Sequence, residues 1–270
     1  DALLGQDVKQ AALGRVFGFE LLPAPFVVAH LQIGLLLQQL GASLADDERV
    51  GVYLTNALTG WEPPDMAKRA VQLQLAGLPE LAQERDQAER VKRTAPILVI
   101  LGNPPYNGFA GIAQGEEANL IEPYKSGLMT KWGVKKYNMD DPYIRFLRLA
   151  ERQIAEIGQR GGIVCYISNA SYLNDPSFVV LRQHLVESFD SLTFDDLHGD
   201  SRETGKLTPD GKPDPSVFST EFNREGIRVG TAICLLVQKQ QSNGSSQVRI
   251  RNFWGASKRA ELVASLEHPD

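Results

Sequence analysis

The sequence predicts an α/β fold built on a mainly parallel sheet, and three observations predict it. Apolar runs of strand length, rich in β-branched residues, occur at 97–101, 163–167 and 231–237. Their hydrophobicity is continuous, as in strands covered on both faces, without the alternation of a strand with one wet face. An amphipathic helical pattern, opened by Asp140-Asp141-Pro142-Tyr143 and running to about residue 157, lies between the first two runs. The third observation is how the first run ends: Ile97-Leu-Val-Ile-Leu101 stops at Gly102 and a rigid turn, Asn103-Pro104-Pro105-Tyr106. In an open parallel sheet such a turn sits at the carboxyl edge, where ligands bind.

The elements follow in chain order. Residues 1–12 read as a helix, and Gly18-Phe19-Glu20 as a short strand end before a longer helix. From 21 to 45 there is no charged residue and 26–40 is strongly apolar, but Pro23, Pro25, His30, Gln32, Gln38 and Gln39 interrupt it. The uninterrupted part is too short for a bilayer, so it is expected to be a helix buried on the sheet. Residues 50–58 read as the next strand and turn. The 79–93 segment begins with Pro and Glu, ends with Arg90, Lys92 and Arg93, and spaces Asp86/Arg90 and Glu89/Arg93 helically, a pattern that needs only solvent. Residues 107–138 form a long insertion carrying Phe109, Tyr124, Lys125, Lys131, Trp132, Lys135, Lys136 and Tyr137, suited to stacking bases and contacting phosphates. Residues 161–168 form a further buried strand. Then 195–199, 217–218 and 230–239 look like the closing pair of strands, with 200–216 a flexible connection. The stretch from Val248-Arg-Ile-Arg-Asn-Phe-Trp254 onward reads either as a half-exposed strand or as the start of a connection to another domain.

Asn103-Pro104-Pro105-Tyr106 resembles the catalytic motif of amino-group methyltransferases that use S-adenosylmethionine, above all the DNA adenine-N6 enzymes. The chemistry explains the residue types. An exocyclic amine delocalises its lone pair into the ring, so methyl transfer needs fixed acceptors that draw the N–H groups out of plane and stabilise developing charge. The Asn103 side-chain oxygen and the Pro104 carbonyl are the candidates, with Pro105 holding the turn through its fixed φ. Tyr106 offers a face on which an extruded base stacks. The resemblance extends along the chain and implies a Rossmann-like methyltransferase sheet. It implies S-adenosylmethionine bound by Glu20 at the ribose hydroxyls, by Asn56 near the adenine and by Asn103. At Asn56 the family more often has Asp. Tyr106, Phe109 and Tyr143 are the implied substrate-binding aromatics.

The order of segments most resembles large single-chain restriction–modification enzymes. That implies double-stranded DNA with a flipped adenine as substrate, and covalently linked recognition, nuclease or translocase domains outside this chain. Residues 1–240 are expected to be the catalytic domain and 241–270 the connection to a target-recognition domain. The family's Asp-x-x-x-Gly-x-Gly cofactor loop is absent, so the first strand and that loop are expected upstream, leaving this sheet N-terminally incomplete. The same tetrapeptide serves cytosine N4, RNA guanine N2 and protein glutamine as acceptors. A degenerate fold used only to bind nucleic acid or protein is the alternative of a different class.

Composition sets limits. The net charge of −5 makes these 270 residues a poor duplex binder by themselves, since phosphate neutralisation supplies much of such affinity. Cys165 and Cys234 sit inside apolar strand patterns and read as core, not as nucleophiles. The four histidines, His30, His184, His198 and His268, lack ligand spacing, so no metal is expected. No leader is visible, which makes the prokaryotic cytoplasm the expected location.

Overall fold

The computed structural model describes residues 2–61, 79–106, 119–135, 137, 139–158, 160–202, 204–241 and 244–267. They form two compact units, Asp1–Ala95 and Pro96–Asp270.

In the first unit helix α1 (Ala2–Arg15) precedes strand β1 (Gly18–Glu20), helix α2 (Pro23–Gln39) and strand β2 (Val52–Leu54), with helix α3 (Pro79–Thr94) last. The strands pair in parallel, Glu20 opposite Leu54. Two prolines at the start of α2 need no helical N–H there, which is why they begin the helix and do not break it. The buried Lys92 of α3 donates to the carbonyls of Asn56 (2.6 Å) and Thr59 (2.8 Å) and lies over the Phe19 ring, pinning the turn after β2. On α3 the expected Glu89/Arg93 pair forms at 2.9 Å. The expectation that α2 is buried does not hold. Leu37 is its buried residue, while Val27, Val28, Leu31, Leu35 and Leu36 are exposed, because apolar composition records what a helix could cover, not what covers it. No helix among the described residues is long and apolar enough to cross a membrane.

The second unit is a five-stranded sheet: β3 (Val99–Gly102), β4 (Gly162–Asn169), β5 (Ser191–Asp196), β6 (Thr231–Gln238) and β7 (Gln247–Asn252), in the spatial order β3-β4-β6-β5-β7. Pairing is parallel for β3–β4 and β5–β7, and β6 runs antiparallel between β4 and β5. The carboxyl ends of β3, β4, β5 and β7 therefore share one edge. Helix α4 (Pro142–Glu151), continued by a π-helical turn (Arg152–Ile157), makes the crossover from β3 to β4, where the 140–157 pattern puts it. Helix α5 (Val179–Ser188) leads into β5. The core joins Ile144, Leu147, Val164, Leu181, Leu185, Leu192, Cys234 and Leu236. Cys165 and Cys234 are free thiols, and burial pushes both up.

Strand β3 departs from the reading of 97–101 as covered on both faces. Ile97 and Ile100 pack against the core, but Leu98, Val99 and Leu101 are 47, 53 and 73% exposed. The physical reason is position: among the described residues β3 is the last strand on its side of the sheet, with β4 as its one strand partner.

The Rossmann-like α/β class expected from the sequence is the one observed. β7, foreseen as either a strand or a connection, joins the sheet beside β5.

Candidate functional site

The candidate site is the turn that follows β3. Gly102 ends the strand opposite Tyr166 of β4, and a Cβ at Gly102 would come 2.8 Å from the Tyr166 ring. Only glycine lets the ring lie against the backbone there, and this close approach fixes where the turn leaves the sheet. Pro104 is buried, while Asn103 and Pro105 are exposed. The Asn103 amide thus stands in solvent on a turn whose next residue is anchored, and among the described residues it makes no hydrogen bond.

Tyr106 is held from two sides. Its hydroxyl donates to the Ile167 carbonyl of β4 (3.3 Å), and its ring meets that of Phe218 edge-on, centroids 6.0 Å apart. Burial pushes the hydroxyl up to about 12, so it stays a neutral donor throughout the physiological range. Phe218 belongs to the connection between β5 and β6, not to a strand, and its place opposite Tyr106 was not legible in the sequence. The signal available was two phenylalanines, Phe218 and Phe222, in a loop otherwise without aromatic rings besides His198.

That connection is tied down at many points, contrary to the flexible linker expected. Asp214, fully buried, pairs with Lys258 at 2.6 Å and accepts the N–H of Gly199 (2.9 Å) and of Gly255 (2.7 Å). Lys258, on a short helix (Lys258–Ala264), also donates to the Leu197 carbonyl at 2.6 Å. His198, at a left-handed φ of 49°, stacks on Trp254 with centroids 3.4 Å apart and bonds Asn252 (2.9 Å). Buried charge is retained here because each partner is satisfied, and the result is a fixed loop across the carboxyl edge of the sheet.

Among the other sequence candidates, Glu20 ends β1, the carboxyl end of a parallel strand. One of its carboxylate oxygens accepts the Leu22 N–H at 2.8 Å. Asn56 follows β2, with its side-chain oxygen accepting the Leu58 N–H at 2.9 Å in an Asx-turn. Glu20 and Asn56 lie in the first unit and Asn103 in the second, so each is placed only within its own unit. Phe109 lies outside the described residues.

Two aromatic readings are corrected. Tyr143, taken as substrate-binding, is buried among Tyr172 and Phe178. It sits on the inward face of α4, and burial raises its hydroxyl far above the usual tyrosine range. Tyr124, grouped with the base-stacking aromatics, is fully buried and donates to the equally buried Glu151 at 2.8 Å. Glu151 also accepts from Arg148 (2.9 Å) and Ser188 (2.8 Å), a buried network that belongs to packing. Trp132, with Lys131 over its ring, does remain exposed. Among the described residues no group of His, Cys, Asp and Glu could hold a metal ion.

No family model and no curated protein sequence matches the chain. Solved structures do. The ATP-dependent Type ISP restriction-modification enzyme LlaBIII bound to DNA matches over 97% of this chain at 20% identity, with a TM-score of 0.72, and the chain covers 17% of it. A DrdV–DNA complex matches over 97% at 19% identity and a TM-score of 0.71, with 24% of that chain covered. A nuclease-deletion mutant of the Type ISP restriction-modification enzyme LlaGI, in complex with a DNA substrate mimic, matches over 97% at 18% identity and a TM-score of 0.69, with 20% covered. The likeness is one of fold, and the chain spans roughly a fifth of the length of these proteins.

Proposed function

We propose that these residues are the catalytic core of a DNA adenine-N6 methyltransferase acting within a restriction–modification enzyme. One observation carries the reading: Asn103 is exposed and uncommitted on a glycine- and proline-fixed turn at the carboxyl edge of a parallel sheet, beside a Tyr106–Phe218 ring pair. The fold likeness to restriction–modification enzymes solved with DNA supports it.

The target adenine leaves the helix and stacks on Tyr106, with Phe218 bordering the same space. Its amine donates one N–H to the Asn103 side-chain oxygen and the other to the Pro104 carbonyl, which pulls the nitrogen out of conjugation and stabilises the positive charge that builds on it. S-adenosylmethionine, when bound, would supply the methyl group as an electrophile, its sulfur–methyl bond breaking to leave the neutral thioether S-adenosylhomocysteine as the carbon–nitrogen bond forms. The surplus amine proton passes to water. In the first unit Glu20 suits the ribose hydroxyls, because one carboxylate oxygen is engaged by the Leu22 N–H and the other makes no hydrogen bond among the described residues. Asn56 suits a cofactor contact less well, its oxygen being taken by the Asx-turn.

The test is to incubate the full-length protein with S-adenosylmethionine carrying a labelled methyl group and unmethylated duplex DNA, then to digest the DNA to nucleosides. The label is expected in N6-methyladenine. Label in N4-methylcytosine would move the acceptor, and no label in DNA would overturn the proposal.

A further inference from the structure

Phe222 is the most exposed large apolar side chain described, at 101% of its reference surface. It is not on a loose strap. The Thr220 N–H donates to the Asn223 carbonyl (2.9 Å) and the Asn223 N–H to the Thr220 hydroxyl (3.0 Å), a tight reciprocal turn with Glu221 and Phe222 at its tip. Gly226, at a φ of 61°, closes back on Asn223, and Lys206 donates to the Glu225 carbonyl. Ser201 bonds the Arg228 carbonyl through both its N–H and its hydroxyl (2.9 Å each). A bare aromatic ring in water is costly to keep, and here the backbone is organised to hold it out.

Its position and surroundings name the partner. Phe222 follows Phe218, whose ring borders Tyr106, by four residues, so the two Cα atoms lie within about 14 Å of each other. Asp214 is committed to Lys258, Asp210 to Lys212 and Glu225 to Arg228, while Glu221, beside Phe222 at the tip, is exposed and pairs with no described residue. Arg202 and Arg224 are exposed, and neither side chain pairs with a described residue. A rigid apolar wedge with an uncommitted guanidinium two residues on, at Arg224, suits duplex DNA, where the ring fills the place of an extruded base while Arg224 meets a phosphate.

We infer that Phe222 enters the DNA stack at the gap left by the flipped base and holds that base out. This rests on the DNA reading above, and the experiment separates the two. Fluorescence anisotropy compares full-length protein on an intact duplex and on the same duplex with one abasic nucleotide. The unmodified protein is expected to prefer the abasic duplex about tenfold, the size of one base–aromatic stacking contact. Phe222→Ala should lose that preference with its melting temperature unchanged, and Phe222→Trp should keep it. No preference in the unmodified protein, or a preference that survives in Phe222→Ala, overturns the wedge. Methyl transfer is not read, so a preference lost in Phe222→Ala would uphold the wedge even if no methylated adenine were ever found.

Discussion

The middle and the β3 edge of the five-stranded sheet are made of the same kinds of residue and do different work. In the middle, Val164, Leu192, Cys234 and Leu236 lie on adjacent strands and all are buried. At the edge, Leu98, Val99 and Leu101 are exposed, and the turn that follows presents Asn103 to solvent. Burial is concentrated in the middle of the sheet, and the residues of the proposed site stand at its open rim, where loops on a rigid scaffold commonly carry function.

Substitutions can break or sharpen this contrast. Leu236→Ala should cost the 270-residue chain about 2–5 kcal/mol in denaturant unfolding, since it leaves a cavity between paired strands. A loss under about 1 kcal/mol would mean the middle is not the stabilising part. Glu20→Ala should weaken S-adenosylmethionine binding by roughly 1.5–3 kcal/mol in calorimetric titration of the full-length protein, through loss of charge-assisted hydrogen bonds. An unchanged dissociation constant would reduce Glu20 to a helix-entry carboxylate bonded to Leu22. Leu101→Thr, which places a β-branched residue at an exposed position of β3, should shift the stability of the 270-residue chain by less than about 0.5 kcal/mol. A cost near that of Leu236→Ala would show β3 covered in solution and erase the contrast.

The same contrast explains what the sequence disclosed. β4, β6 and the α4 crossover were legible as elements because their apolar patterns coincide with real burial of one face, Val164 and Tyr166 of β4 and Cys234 and Leu236 of β6, although Ile163 and Leu235 are exposed and the expected cover on both faces does not hold. β3 and α2 were legible as elements but not in their environment: a run of leucines and valines reads the same whether or not another segment covers it. The turn after β3 was legible as a turn because glycine, asparagine and two prolines constrain the backbone locally, whatever lies around them. Tyr143 and Tyr124 were misread because an aromatic near a site looks the same in sequence whether it faces a ligand or the core, and only the face of the helix decides. Phe218, Asp214 and Lys258 stayed hidden for the opposite reason. Their partners at Gly199, Leu197 and Tyr106 lie from 15 to more than a hundred residues away in the chain, and no local pattern announces such a pairing.

The most direct test is the methylation rate of Asn103→Ala in the full-length protein, read beside its melting temperature. Asn103 is exposed and makes no hydrogen bond among the described residues, so the melting temperature should not move. Removing a preorganised acceptor at the reacting nitrogen should slow adenine methylation by about 10²–10³-fold. Methylation at the unmodified rate would contradict the assignment of the β3 turn as the catalytic site.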